Sequence, residues 1–310
     1  MSVDFISDYL ASSLRLSVPL AYAALGGLFS ERSGVLNIGL EGMLLTGAFT
    51  SAATTFYTGN VWAGIFTALI AGGLVGFLHA FLCVSLRVNQ LVSGLAINLV
   101  ATGLTSFLAR LLFNSSSGTQ RLPTVPQIRI PVLANIPIVG VLFRQDILVY
   151  ILFSIIVLTT YFLFYTNLGL NLRAVGEYPK AADTAGISVT LVRYIAVVTG
   201  GCIVGCGGAY LVLVQVNYFV EEMSAGRGFI AIASLIFGKW HPVGSFLACL
   251  LFGATEALQL RIQAFSVNIP YQFLTMLPYT VALLALAGGI GKSTPPTALG
   301  LPYNRNSIKG

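Results

Sequence analysis

Long apolar runs recur along the whole chain, and they leave few folds open to it. A helix needs about 20 apolar residues to cross a hydrocarbon core of about 30 Å. Tyr9–Phe29, Leu36–Tyr57, Trp62–Leu86, Leu91–Phe113, Ile147–Thr166, Leu191–Val214, Val243–Leu260 and Tyr271–Ala287 meet that need or come close to it. Charged residues make up only 8% of the chain, against about a quarter in soluble domains. Gly, Ser and Thr interrupt the runs, as bundled helices require for close approach. The period-2 alternation of a membrane barrel is missing. The expected fold is all-α: a polytopic transmembrane helical bundle of about eight to ten spans, one membrane domain over residues 1–310, with short broken or re-entrant helices. The first span reads as retained, because Asp4 and Asp8 stand where a signal peptide carries bases.

Several function classes lose support at this point. The net charge is +6, but the bases lie singly between spans, so nucleic-acid binding is not expected. They suit loops that meet anionic headgroups or partner proteins. Gly291-Lys292-Ser293 ends like a phosphate-binding loop, yet Leu286 occupies the required first glycine position. The chain therefore shows no nucleotide engine. His79 and His241 are its only histidines and have no nucleophile–base spacing around them, so no catalytic residue is assigned. His79 reads as a hydrogen-bonded interior group, and His241 before Pro242 as a helix start. Cys83, Cys202, Cys206 and Cys249 sit in apolar runs without a His or carboxylate beside them, and read as small interior residues. No metal or cofactor is expected. Gly200, Gly201, Gly205, Gly207 and Gly208, with Gly72 and Gly76, read as close helix packing.

Two linkers break the apolar rhythm. Asn114–Asp146 carries Pro123, Pro126, Pro131 and Pro137, which rule out a regular helix. It is expected to be a loop with extended pieces. Asn167–Thr190 is the most polar internal segment. Within it Pro179–Ala185 reads as a short helix, with proline in the first turn and Gly186 as its stop. One span separates the linkers, so they lie on opposite sides. Arg173, Lys180 and Arg193 argue for a cytoplasmic second linker, while Arg121, Arg129 and Arg144 argue equally for the first. Gly228–Trp240 is too short to span and reads as re-entrant or as a half-helix. If it does not cross, the tail with Lys292, Arg305 and Lys309 ends outside, against the positive-inside rule. Ser33–Ile38 and Ala225–Ile230 are possible equivalent turns, each opening a half-helix.

Polar residues inside apolar runs give the candidate path. A carboxylate in hydrocarbon costs roughly 2.5–3.5 kcal/mol on insertion scales, so it faces protein or water. In the run Ser30–Phe49, Asn37 and Glu41 stand four residues apart, the spacing of one helix face. Asn98 lies within Leu91–Phe113 and Glu256 within Val243–Leu260. These four are read as lining a polar route; the alternative is glue between helices.

Three segments carry a resemblance. Leu25–Phe49 (LGGLFSERSGVLNIGLEGMLLTGAF), Gly176–Ile187 (GEYPKAADTAGI) and Met223–Ala233 with Phe237-Gly238-Lys239-Trp240 resemble motifs of membrane permease subunits of bacterial ATP-driven (ABC) importers. The similarity is to the nucleoside and simple-sugar branch of the ribose and branched-chain amino-acid permease superfamily. The ending Ala298-Leu299-Gly300-Leu301-Pro302-Tyr303 fits the same branch. The resemblance implies a transport subunit of the inner (plasma) membrane, not an enzyme, carrying a nucleoside or related small solute. A simple sugar is the alternative cargo, and ion-coupled secondary transport the rival class. The resemblance implies a second homologous permease, a cytoplasmic ABC ATPase that hydrolyses the ATP, and an external solute-binding lipoprotein as partners. It makes residues 167–190 the cytoplasmic coupling segment, with Gly176, Glu177, Pro179, Lys180, Ala181, Ala182, Asp183 and Gly186 facing the ATPase. It makes residues 114–146 the external loop. Arg121, Arg129 and Arg144 there are expected to receive the binding protein.

Overall fold

The computed structural model describes residues 3–113, 119–129, 131, 136, 138–264, 271–278, 280, 281, 284 and 293–304. Helix α1 covers Val3–Arg32, α2 Leu40–Thr58, α3 Val61–Ala80 and α4 Gln90–Phe113. Helix α5 covers Ile147–Tyr165, α6 Asn167–Glu177, α7 Pro179–Thr184 and α8 Val189–Tyr210. Helix α9 covers Arg227–Phe237, α10 Pro242–Ala264 and α11 Tyr271–Thr275. Local chemistry sets several starts. Asn60 caps α3 by accepting from the amides of Trp62 and Ala63, and Thr166 caps α6 by accepting from that of Gly169. Both α3 and α8 end in a π-helical turn, Phe81–Ser85 and Leu211–Val216.

The expected all-α bundle is present. Among the described residues five helices are long and apolar enough to cross a membrane: α3 and α8 with their π turns, α4, α5 and α10. Helices α1 and α2 are more polar because they meet protein. On α1, Val18, Tyr22, Leu25 and Leu28 are fully buried, as are Leu40, Met43 and Leu44 on α2. Helices α3, α4 and α5 instead leave residues such as Leu74, Leu111 and Val157 exposed on the outside of the chain. Most of the run Tyr271–Ala287 beyond α11 lies outside the described residues.

Helix α8 is the axle, and its glycines explain how. A side chain at Gly200 would strike the Gly26 backbone of α1, and one at Gly208 the Leu44 carbonyl of α2. One at Gly201 or Gly205 would strike the backbone of α3 at Gly72 or Ala68. Three helices thus touch α8 backbone to backbone, which Gly alone permits. Cys83, Cys206 and Cys249 are buried in the same interior.

The turn points sort onto two faces. One holds α6 and α7, the turn after α1, the end of α3, where the Ser85 hydroxyl meets that of Tyr194 at 2.5 Å, and residues 293–304. The other holds the N-terminal end of α1 and the proline-rich linker. There the Leu122 amide donates to the Asn217 carbonyl at 2.8 Å, and Arg261 to that of Phe5 at 3.2 Å. Described parts of the linker include extended pieces, as expected, and one short 3-10 helix at Val139–Phe143. Strands β1 (Gln127–Arg129) and β2 (Arg144–Asp146) pair antiparallel, with Arg129 opposite Arg144. Arg121, Arg129 and Arg144 are all exposed on this face.

One reading needs correction here. Asn167–Glu177, taken only as part of a polar linker, is a helix. It buries Gly169, Leu172, Val175 and Gly176 and turns Leu168 and Leu170 outward, so its amphipathic pattern was masked by its polarity. The half-helix reading of Gly228–Trp240 agrees with α9, which is 11 residues long. It starts beside α2, and the chain then reaches Trp240, whose indole donates to Glu31 Oε2 at 2.5 Å and whose carbonyl accepts from Arg32 Nε at 2.8 Å. After α8 the chain thus returns through the turn at residues 217–226 and α9 to the α6–α7 face. Residues 293–304 accordingly lie on the α6–α7 face, with the Ala298 amide donating to the Gly176 carbonyl at 2.9 Å. Lys292, Arg305 and Lys309 lie outside the described residues.

Candidate functional site

The site grows from two helices that begin inside the bundle. A helix start leaves backbone N–H groups without partners, and in a membrane interior they need a protein acceptor. Neither α2 nor α9 carries a capping side chain of its own; glycines, Gly39 and Gly226, hold both N-cap positions. Other helices supply the missing acceptors. Asn98 of α4 accepts from the Gly42 amide of α2 through Oδ1 at 2.8 Å and donates to the Ile38 carbonyl at 3.0 Å. Glu41 of α2 then caps α9. Its Oε1 accepts from the Gly226 amide at 2.7 Å and its Oε2 from the Gly228 amide at 2.6 Å. A carboxylate at a helix N-terminus also meets the positive end of the helix dipole. Helices α4, α2 and α9 are joined in series by these two residues.

Backbone shape makes the clasp possible. Glu222, Ala225 and Gly226 have φ of 57°, 47° and 81°, so the chain turns left-handed into α9. Any side chain at Gly228 would collide with the Glu41 backbone, so only glycine lets the two helices meet there.

Asn37 departs from its expected place. Helix α2 begins at Leu40, so Asn37 lies in the turn before it and shares no helix face with Glu41. It is fully buried, donates to Ser30 Oγ at 3.2 Å and accepts from the Gly39 amide at 3.1 Å. Two further residues pin this turn. Gln90 Oε1 accepts from the Leu36 amide at 2.6 Å. His79 bonds the Leu36 carbonyl and Ser93, each at 3.0 Å, which agrees with its reading as an interior hydrogen-bonded group. Sequence reasoning assigned no site role to Gln90, Glu31, Trp240 or Arg193. Arg193 enters it only as a base bracketing a linker, Glu31 and Trp240 only as members of motifs, and Gln90 not at all.

Glu41 and Asn98 line one cavity of about 600 Å³, with Leu45, Leu95, Leu99, Thr102, Glu222, Ser224 and Phe229. Its wall is largely apolar with a few convergent polar groups, the usual makeup of a small-molecule site. Glu256 lies apart from them. It forms an ion pair with Arg227 Nη2 at 3.0 Å and lines a second cavity of about 340 Å³ on the other side of α9.

On the α6–α7 face the short helix stands clear. Lys180, Ala181 and Gly186 are exposed, Ala182 is buried, and Gly186 takes φ of 85° just after the C-cap Ala185. Residues Glu177–Ala181 and Thr297–Asn304 enclose a groove of about 610 Å³. Tyr178, 67% exposed, and Leu301, 58% exposed, line it. Among the described residues no group of His, Cys, Asp or Glu has the arrangement of a metal site.

Comparison with known proteins places this geometry. Residues 9–287 match the family described as branched-chain amino acid transport system / permease component. The guanosine ABC transporter permease protein NupQ of Bacillus subtilis is 39% identical, over 99% of this chain and 98% of its own length. The nucleoside ABC transporter permease protein NupC of Lactococcus lactis is 37% identical over 97% and 98%. The putative glucose ABC transporter permease protein TsgC13 of Haloferax volcanii is 35% identical over 98% and 99%. With its capped half-helices, its central helix α8 and its match along nearly the whole chain, this protein belongs to that permease family and is a multi-pass inner-membrane transport subunit.

Proposed function

We propose that this chain is the permease of an ATP-driven importer that carries a nucleoside or a closely related solute into the cell. The observation that carries the reading is the cavity at the two helix starts. Its polar groups are Glu41, Asn98, Thr102, Glu222 and Ser224, while Leu95, Leu99 and Phe229 make an apolar wall. Ribose hydroxyls suit the first set, and the flat face of a base suits the second. A simple sugar has hydroxyls on every side and leaves that wall poorly used, so a sugar is the second reading. The similarity to guanosine and nucleoside permeases points the same way.

In this reading α6–α7 faces the cytoplasm and receives the ATPase, with Glu177, Lys180 and Asp183 at the contact. Arg121, Arg129 and Arg144 face outward and meet an external binding protein. A second homologous permease closes the open side of the cavity, where Leu99 is 75% exposed. Asn37 serves the path indirectly, by holding the turn beneath it. Glu256 serves through its ion pair with Arg227 on the far side of α9.

Uptake of labelled guanosine, uridine and glucose by cells with and without this gene tests the cargo. Loss of nucleoside uptake alone supports the reading; loss of glucose uptake alone overturns it in favour of the sugar. Crosslinkers at Lys180 or Ala181 should capture the ATPase, and a Cys placed at Thr119 should react with reagents confined to the outside.

A further inference from the structure

The ending Ala298–Tyr303 is the one singled-out motif that the cavity and the coupling helix leave unused. We propose that Ser293–Asn304 is a strap that transmits movement of α6–α7 to the broken helix α1–α2, with Arg193 as the positioning residue at its hub. The proposal rests on the reading that α6–α7 receives the ATPase.

The strap is bonded at both ends of that route. At α6, the Thr297 amide and hydroxyl donate to Glu177 Oε2 at 3.1 and 2.8 Å, and the Ala298 amide donates to the Gly176 carbonyl at 2.9 Å. At the helix break, the Gly300 amide donates to the Gly34 carbonyl at 3.2 Å. Arg193 of α8 closes the arrangement. Its Nη1 donates to the Leu301 carbonyl at 3.1 Å, and its Nε to the Ser33 carbonyl at 3.2 Å. One guanidinium thus holds both the strap and the turn that leads through Asn37 and Asn98 to Glu41.

Packing leaves these parts no slack. A side chain at Gly176 would strike the Arg32 carbonyl, and Gly34, at φ of 87°, lies between Arg193, Ala298 and Gly176. Arg193 is 1% exposed, and among the described residues it forms no salt bridge. A buried cation held only by carbonyls is costly. Two carbonyls from distant segments need a fork of donors, which Arg supplies and Lys does not. Stabilising one helix would not require that geometry, whereas joining two moving segments does.

The test uses the complete transporter in proteoliposomes, with ATP hydrolysis and labelled nucleoside uptake read from the same vesicles. Arg193→Met is expected to lower cargo carried per ATP by about tenfold, within the usual range of coupling between sites. Arg193→Lys, which keeps the charge and one donor group, is expected to recover part of that loss. If Arg193→Met does not reach the membrane, the exposed pair Glu177→Cys with Thr297→Cys decides. Cargo per ATP should be low with the thiols reduced and restored when they are oxidised to a disulfide. Unchanged cargo per ATP in Arg193→Met, or equal ratios in the reduced and oxidised pair, overturns the strap. An unaltered transporter that hydrolyses no ATP or carries no cargo overturns the underlying reading instead.

Discussion

The two interrupted helices are built alike and secured differently. The turn at residues 33–39 is mostly buried and fixed by side chains from several elements, all neutral but one: Asn37 itself, His79, Gln90, Asn98 and, at its start, Arg193. The loop at residues 217–226 is half exposed, and Asn217, Glu222 and Ala225 all have positive φ. Its outer part is tied by Arg110 to Glu221 at 2.7 Å and by the Leu122 amide to the Asn217 carbonyl, and at the end that opens α9 Glu41 accepts from two amides. Many neutral bonds make a rigid joint that is expensive to disturb, because each unpaired buried group costs about 1–3 kcal/mol. One charged clasp at a cavity wall is a joint that can open, since water in the cavity can replace it. In the proposed coupling the first break is therefore a rigid frame that the strap pulls as one unit, and the second is the joint that can open.

The largest expected effect falls on the clasp. Glu41→Leu should leave the protein folded and nearly abolish uptake per folded molecule, because two amides of α9 lose their acceptor together. Glu41→Gln keeps one carbonyl acceptor and should retain part of the uptake or change cargo preference. Uptake normalised to folded protein measures both. Normal transport per molecule by Glu41→Leu would break the contrast between the two joints.

Next comes the frame. His79→Ala leaves the Leu36 carbonyl and the Ser93 hydroxyl unpaired, and should destabilise by about 1–3 kcal/mol. Thermal unfolding in detergent should shift downward while uptake per folded molecule stays close to normal. Asn98→Ala should show both effects, since Asn98 belongs to the frame and the cavity wall. An uptake defect in His79→Ala as deep as that of Glu41→Leu would mean that both breaks open.

Smaller still is the ion pair behind α9. Glu256→Gln removes the partner of Arg227, whose side chain is 15% exposed, and should slow uptake a few-fold at most. Exchanging the two charges, Arg227→Glu with Glu256→Arg, should recover most of the loss. No recovery in the exchanged pair would show that Glu256 acts on cargo rather than on α9.

The smallest effect belongs to the outer arginines. Reversing Arg129 and Arg144 together should weaken uptake only when the binding protein is limiting, and more at low salt, because rim charges mainly steer association. A defect that persists at saturating binding protein would place them in the moving parts instead.

Much of this architecture is local and could be read from the chain. Hydropathy places the helices, proline at Pro179 and glycine at Gly186 bound α7, and Ser33–Ile38 and Ala225–Ile230 mark both breaks. The burial argument found Glu41 and Asn98, because a polar group in a membrane needs a partner wherever that partner lies. It misplaced Asn37, since spacing alone assumed a helix that starts only at Leu40. It also passed over α6, whose polar residues hide its apolar stripe, and over Arg193, whose role depends on segments far away in the chain.

The sequence by itself determined that this chain crosses a membrane as a helical bundle, where its helices break, and which segment stands out as a polar surface helix. Those properties depend on side-chain transfer energies and backbone sterics that act within a few residues. Only the tertiary structure decided that Glu41 reaches amides 185 and 187 positions away, that the chain after α9 meets Glu31 and Arg32 at Trp240, and that Arg193 joins Ser33 to Leu301. Hydrogen-bond partners of that separation are chosen by packing around α8, where glycines let backbones touch, and no local pattern encodes the choice.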